Sequence, residues 1–272
     1  MGTETYSGRQ GDAYRLSTVD GGTAIVAAEQ GLQIAPGMQY LELITRNYAS
    51  SAVVMAVGVS PWLTVIRTTN ALINGNTVYD EEAQYVGSSV ITLSGQDTAA
   101  ELDFFYVGAE RPFNGVHVDM ASLNTATRAL TVKYWNGSAW ASISATDGTR
   151  TGGDTSLGQD GIVSWTVPTD WAKTTLKASA DTTIASPLAQ ALRNLYWTRW
   201  EWAGALSGSV TLNSLIAQPE FAEPEYPSGI VKELDFATGF GHHGGLTASM
   251  NTGTGNLIMN AFNKSANREL PV

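Results

Sequence analysis

A chain of 272 residues exceeds one typical domain, has room for two compact ones plus an arm, and can bury a full core without metals or disulfides. Its lack of cysteine excludes disulfides, thiolate metal sites and thiol catalysis together, and its net charge of -10 argues against direct contact with nucleic acid, which needs clustered Lys and Arg. Charged residues are only 15% of the chain, against roughly 25% in ordinary globular proteins, so the surface is polar but weakly ionic, as in β-proteins that sit packed against neighbours.

Residues 1–31 are rich in Gly, Thr and Ser, carry one short apolar run from Thr23 to Ala28, and read as an N-terminal arm. Their opening, MGTETYSGRQGDAYRL, lacks the basic-then-apolar order of a signal peptide. No run approaches the ~18 apolar residues of a membrane span. Neither secretion by the ordinary route nor membrane insertion is expected. Tyr6 stands where a myristoylation motif wants Ser or Thr, so that reading is discarded too.

Residues 32–95 read as a small β domain. Short apolar strands are expected at Tyr40–Thr45, Ala52–Val59, Trp62–Thr68, Thr77–Tyr79 and Ser89–Leu93, punctuated by Pro36-Gly37, Ser60-Pro61 and the hairpin signal Asn74-Gly75. Residues 96–221 repeat this grammar with longer strands. Val116, Val118 and Met120 share one face while His117 and Asp119 share the other, and Leu130, Val132, Tyr134 and Val163, Trp165, Val167 alternate in the same way. With Gly, Asp and Asn turns between strands and no long helical period, this block is expected to be a jelly-roll-like antiparallel sandwich. Only short helices fit, such as Ser186 to Asn194. The chain is therefore all-β.

Residues 222–272 read as a linker and C-terminal arm, because Pro224 and Pro227 interrupt regular structure and the remainder is rich in Gly and Asn. Leu234, Phe236, Phe240, Leu257, Ile258, Met259 and Phe262 still give it apolar surface that wants a partner. Either it folds back onto a sheet or it docks on an adjacent subunit.

No catalytic set emerges. His117, His242 and His243 stand in no clear relation to a serine nucleophile and an orienting acid, and the adjacent pair would point to opposite faces of a strand, unable to share a metal. Gly239 to Gly244, reading G-F-G-H-H-G, matches the dinucleotide fingerprint in letters, but Leu246 to Gly255 has no helical pattern to present to a pyrophosphate. Asp80-Glu81-Glu82, Asp147, Asp154 and Asp160 are the acidic candidates. Turn capping is the favoured role of the three aspartates, with structural calcium and a glycosidase pair as the other readings. No cofactor and no metal is expected.

Seven of the eight tryptophans fall between Trp135 and Trp202. Exposed indoles stack on sugars, whereas buried ones fill sandwich cores and subunit seams. On the strand ending in Trp202, Leu195, Trp197 and Arg199 face one way and Tyr196, Thr198, Trp200 and Trp202 the other, so at least one indole is expected to meet something outside the sheet's own core. Trp140, Trp171, Trp200 and Trp202 are the interface or glycan-stacking candidates. A neighbouring subunit or domain is the favoured cover, and a host-surface glycan the alternative.

The ordered series Phe113-Asn114-Gly115-Val116, Tyr134-Trp135-Asn136-Gly137 through Trp140, Asp147-Gly148-Thr149, Gly161 through Trp165, Pro168 through Trp171 and Tyr196-Trp197-Thr198-Arg199 resembles a module of tailed-bacteriophage virion proteins. The resemblance covers about the central half of the chain. It implies a jelly-roll-like fold and a non-enzymatic structural or adhesive role in a capsid, neck or tail, with no catalytic residues to carry over. The partners it implies are further copies of the chain and other virion proteins, assembled in the host cytoplasm. Arms that order on a neighbour fit the same picture. A glycan-binding adhesin is the alternative function.

Overall fold

The computed structural model describes residues 13–15, 22–32, 40–69, 77–79, 91–96, 103–179, 193–219, 224–235 and 243–262. The described residues form four sheets, and every ladder is antiparallel. Chain order alternates between sheets, so each sheet draws its strands from separate segments. An outer five-stranded sheet holds β1 (Ala13–Arg15), β2 (Thr23–Val26), β4 (Tyr40–Arg46), β18 (Val231–Asp235) and β20 (Thr254–Phe262). A four-stranded sheet holds β3 (Gln30–Leu32), β5 (Met55–Pro61), β17 (Glu225–Tyr226) and β19 (His243–Met250). A six-stranded sheet holds β6 (Thr64–Thr68), β7 (Thr77–Tyr79), β9 (Phe105–Ala109), β11 (Leu130–Trp135), β12 (Trp140–Ser142) and β15 (Tyr196–Trp202). A central five-stranded sheet holds β8 (Ile91–Thr92), β10 (Phe113–Ser122), β13 (Thr146–Asp147), β14 (Gly161–Ser164) and β16 (Thr211–Pro219).

The last two sheets form a jelly roll. The central sheet runs β8-β16-β10-β14 and the six-stranded sheet runs β9-β15-β11-β12, so the first and last of these strands are neighbours and most connections cross between layers. Strands β6 and β7 extend one sheet and β13 the other. Alternation aims one face of every strand inward. Val116, Val118 and Met120 of β10, Val132 and Tyr134 of β11, Val163 of β14 and Trp200 and Trp202 of β15 meet in a single core. A register shift between Phe113 and Gly115 marks a bulge, which lets Phe113 and Val116 both point inward despite their odd spacing.

The other two sheets enclose a second core of Ile25, Leu41, Leu43, Met55, Val57, Leu246, Ala248, Met250, Leu257 and Met259. This sandwich is built from the two ends of the described chain. The chain leaves it after β5 and returns by β17, which pairs directly with β5 through Glu225↔Ala56 and Tyr226↔Met55. The jelly roll is thus an insertion whose entry and exit are adjacent strands, the arrangement under which a host fold tolerates an inserted domain.

This division differs from the serial one read along the chain. The described part of the 222–272 stretch supplies β17 to β20, so it folds back onto the chain's own sheets. The 32–95 block is split, with β4 and β5 in the outer sandwich and β6, β7 and β8 in the jelly roll. Of the expected N-terminal arm, β1, β2 and β3 are strands of the outer sandwich. The cause is long-range pairing: an alternating segment such as Leu246, Ala248, Met250 declares a half-buried strand but not its partner. The expected helix over 186–194 falls mostly outside the described residues, as do Asp80-Glu81-Glu82 and the Asn74-Gly75 turn, although β6 and β7 pair around that turn as expected.

The two sandwiches meet through the four-stranded and central sheets. Gly31, Thr247 and Gly58 lie in one row across β3, β19 and β5. A Cβ at Gly31 would stand 2.9 Å from His117 Cβ and 3.0 Å from Ile216 Cβ. Small residues here let the sheets approach closely, and Glu29 pairs with His117 across the seam at 2.7 Å.

Candidate functional site

The outer face of the six-stranded sheet gathers the aromatic and charged residues that the inward face does not use. Along β15, Tyr196, Thr198, Trp200 and Trp202 turn to the core, leaving Trp197, Arg199 and Glu201 on the outer side. Across the ladder, Lys133 stands opposite Arg199 and Trp135 opposite Trp140. The Arg199 guanidinium lies 4.2 Å from the Phe104 ring centre and 5.1 Å from that of Trp140, held between two π faces. The Glu201 carboxylate takes Arg199 at 2.5 Å and Lys133 at 2.9 Å, neutralising two cations that would otherwise repel each other. Trp140 also meets Tyr106 at 5.9 Å and Trp135 at 5.8 Å between ring centres.

Trp197 lies flat on the backbone of Gly108, its partner across the ladder, where any Cβ would overlap the indole. Residues 174–179 and 193–195 roof it. Thr174 and Leu195 exchange backbone hydrogen bonds at 3.0 Å, which seats Leu176 and Leu195 on Trp197 and Tyr106. The expectation that both faces of this strand carry indoles is correct. What covers the outer one is the chain itself.

That roof and the inner core correct the choice of exposed tryptophans. Trp200 and Trp202 are 1% and 4% exposed and pack on Phe105 inside the jelly roll. Trp171 is buried against Phe113, Trp165, Tyr134 and Tyr196, and its indole N–H donates to the Trp197 carbonyl at 3.3 Å. None of the three has a ring face free to stack on a ligand. Trp140 alone of the four is partly exposed, and three aromatic or cationic neighbours already occupy its ring. Large apolar rings lower the free energy most when desolvated on both faces, so internal packing outweighs display.

The described aspartate and histidine candidates serve local structure. Asp147 Oδ1 accepts the Thr149 N–H at 2.9 Å and its hydroxyl at 2.6 Å, an Asx turn of the favoured kind. Asp160 Oδ1 accepts the Met120 N–H at 2.8 Å, and Asp154 pairs with Arg150 at 2.9 Å. Among the described residues, no three His, Asp or Glu side chains are placed to hold a metal ion. Tyr134 donates to Asp170 at 2.8 Å, and that bond, with burial and the carboxylate charge, raises the phenol above its ordinary pKa. His117 is occupied by Glu29. His243 begins a β-strand that runs to Met250, so the glycine-rich Gly239–Gly244 run leads into a strand where the dinucleotide motif needs a helix.

One feature of the loops is invisible to pattern reading. Asn124, 3% exposed, uses its whole amide: Nδ2 donates to the Ala126 and Ser156 carbonyls at 2.9 and 2.8 Å, and Oδ1 accepts the Ala126 and Ser207 N–H groups at 3.0 Å. It joins three loops at one end of the jelly roll. No sequence signal separates this asparagine from those in ordinary turns. No protein-family model matches the chain, and no curated protein matches it significantly.

Proposed function

We propose that the chain is a non-enzymatic building block of a tailed-bacteriophage virion, assembling with copies of itself and with other virion proteins in the host cytoplasm. The observation that carries this reading is the use of the jelly roll's side chains: its indoles pack against other rings, and on its outer face Lys133 and Arg199 pair with Glu201. Catalysis needs titratable groups left poised toward a substrate. The resemblance of the central segments to virion modules supplies the setting.

The glycan-binding alternative loses support, because Trp171, Trp200 and Trp202 are core residues and, of the four candidates, only Trp140 keeps partial exposure. Sedimentation of the purified chain from micromolar to millimolar concentration tests the assembly reading. Discrete closed oligomers are the expected result. A strict monomer throughout, or saccharide titrations that change the tryptophan fluorescence of wild-type protein but not of Trp140→Ala, would overturn it in favour of an isolated binding module.

A further inference from the structure

The geometry points to Asn136–Gly137 as a site of spontaneous covalent modification, at which the asparagine cyclises onto the following amide and reopens as aspartate or isoaspartate. Residues 136–139 connect β11 to β12, and the Asn136 N–H donates to the Ala139 carbonyl at 3.1 Å. The Asn136 Oδ1 accepts three hydrogen bonds: from the Ser138 N–H and the Ser138 hydroxyl at 3.0 Å each, and from the Ala139 N–H at 2.8 Å. Three donors converging on one amide oxygen withdraw electrons from Cγ. They also stand where negative charge accumulates when that carbon becomes tetrahedral, the arrangement that lowers barriers in acyl transfer.

The nucleophile is unobstructed and unengaged. Gly137 has φ +95° and no side chain to obstruct approach, and among the described residues nothing accepts its N–H. Residues 137–139 are exposed, so water and base reach the turn. In the first step a solvent base removes the Gly137 amide proton, the nitrogen forms a bond to Asn136 Cγ, and Oδ1 takes the charge beneath its three donors. Collapse breaks the Cγ–Nδ2 bond, and the nitrogen leaves as ammonia after taking a proton from water. Water then opens the cyclic imide. Attack at Cγ returns the normal main chain with an aspartate; attack at the α-carbonyl carbon routes the main chain through the side chain as isoaspartate.

The chain carries an internal comparison. Asn114–Gly115 is the same dipeptide held in β10, where the Asn114 carbonyl accepts the Trp165 N–H at 2.8 Å and Gly115 is buried between β14 and β16. The two products at 136 also differ in consequence. Aspartate keeps an acceptor for Ser138 and Ala139 and adds one negative charge. Isoaspartate inserts a main-chain carbon between Trp135 and Trp140, which face each other across the ladder.

The test is incubation of the folded full-length protein in mildly alkaline buffer, followed by peptide mass mapping and enzymatic isoaspartate labelling. Asn136 is expected to convert severalfold faster than Asn114, and Ser138→Ala, which removes one of the three donors from an exposed turn, is expected to slow position 136 severalfold while leaving the thermal midpoint unchanged. Conversion of Asn136 no faster than Asn114, or a rate at 136 indifferent to Ser138→Ala, would overturn the assignment.

Discussion

The two sandwiches solve the same packing problem with different materials. The jelly roll is one continuous stretch of chain filled by Phe105, Phe113, Trp165, Trp171, Trp200 and Trp202, whose rings meet edge-to-face or tilted. The outer sandwich is assembled from distant segments and filled by Ile, Leu, Val, Met and Ala. Its neighbouring strands come from opposite ends of the described chain, as in the hydrogen bond from Asn260 of β20 to Glu42 of β4, 218 residues apart in sequence. The ring-filled core closes within one stretch of chain from β6 to β16, although ladders such as β8 with β16, which set Thr92 opposite Thr211, span long separations inside it. A core closed by the last strands cannot form until the whole chain is present, because the cost of closing so long a loop precedes the gain in burial.

The largest expected effects separate the two cores. Every tryptophan lies between Trp62 and Trp202, so indole fluorescence reports the jelly roll, whereas hydrogen exchange in β4 and β20 reports the outer sandwich. Trp200→Ala leaves a cavity among Phe105 and its neighbours and is expected to destabilise the jelly roll by about 3–5 kcal/mol. Leu257→Ala is expected to cost about 2–5 kcal/mol in the other core. Each variant should move its own probe further than the other's. Equal movement of both probes by both variants would show one cooperative unit and dissolve the distinction.

This contrast also explains what could be read in the sequence. Strand alternation at Val116, Val118, Met120 and at Leu130, Val132, Tyr134 identified the inward faces, since a half-buried strand writes its face into every second residue. The same rule divided β15 correctly into its two faces. It could not show that Leu176 and Leu195 roof Trp197, because a roof is a tertiary contact with no period of its own. For the same reason the C-terminal strands read as an arm: their apolar residues show in the sequence, their partners β4 and β5 do not. Gly108, Gly31 and Asn124 carry no signal in the sequence because each is defined by what approaches it.

The seam between the sandwiches yields the intermediate effects. Gly31→Val would drive a branched side chain into His117 and Ile216, and overpacking of this kind is expected to cost about 1–3 kcal/mol, read from the thermal midpoint. A smaller effect is expected from the Glu29–His117 pair, which links the sandwiches at 2.7 Å with side chains 21% and 10% exposed. A double-mutant cycle with Glu29→Gln and His117→Ala is expected to give a coupling of about 1.5–2 kcal/mol, in the lower part of the range for hydrogen bonds to charged groups. Zero coupling, with Gly31→Val harmless, would mean that the sandwiches touch without stabilising each other.

The smallest effect concerns Asp119, which lies on the same face of β10 as His117, with its side chain reaching solvent. Partial burial raises its carboxyl above the ordinary pKa; the Asn213 amide opposes that rise, and the Asp160 carboxylate adds to it. A carboxyl whose folded pKa is raised contributes stability that is full below its unfolded pKa near ~4 and is lost as pH rises through the folded value. At neutral pH the ionised group therefore weakens the fold. Asp119→Asn keeps an acceptor oxygen for Asn213 and is expected to raise the thermal midpoint by no more than about 2 °C at about pH 7, with no change at about pH 3. A lowered midpoint at neutral pH would instead assign this carboxylate a stabilising partner, and would make the seam-facing side of the central sheet an electrostatic contributor comparable with the Glu29–His117 pair.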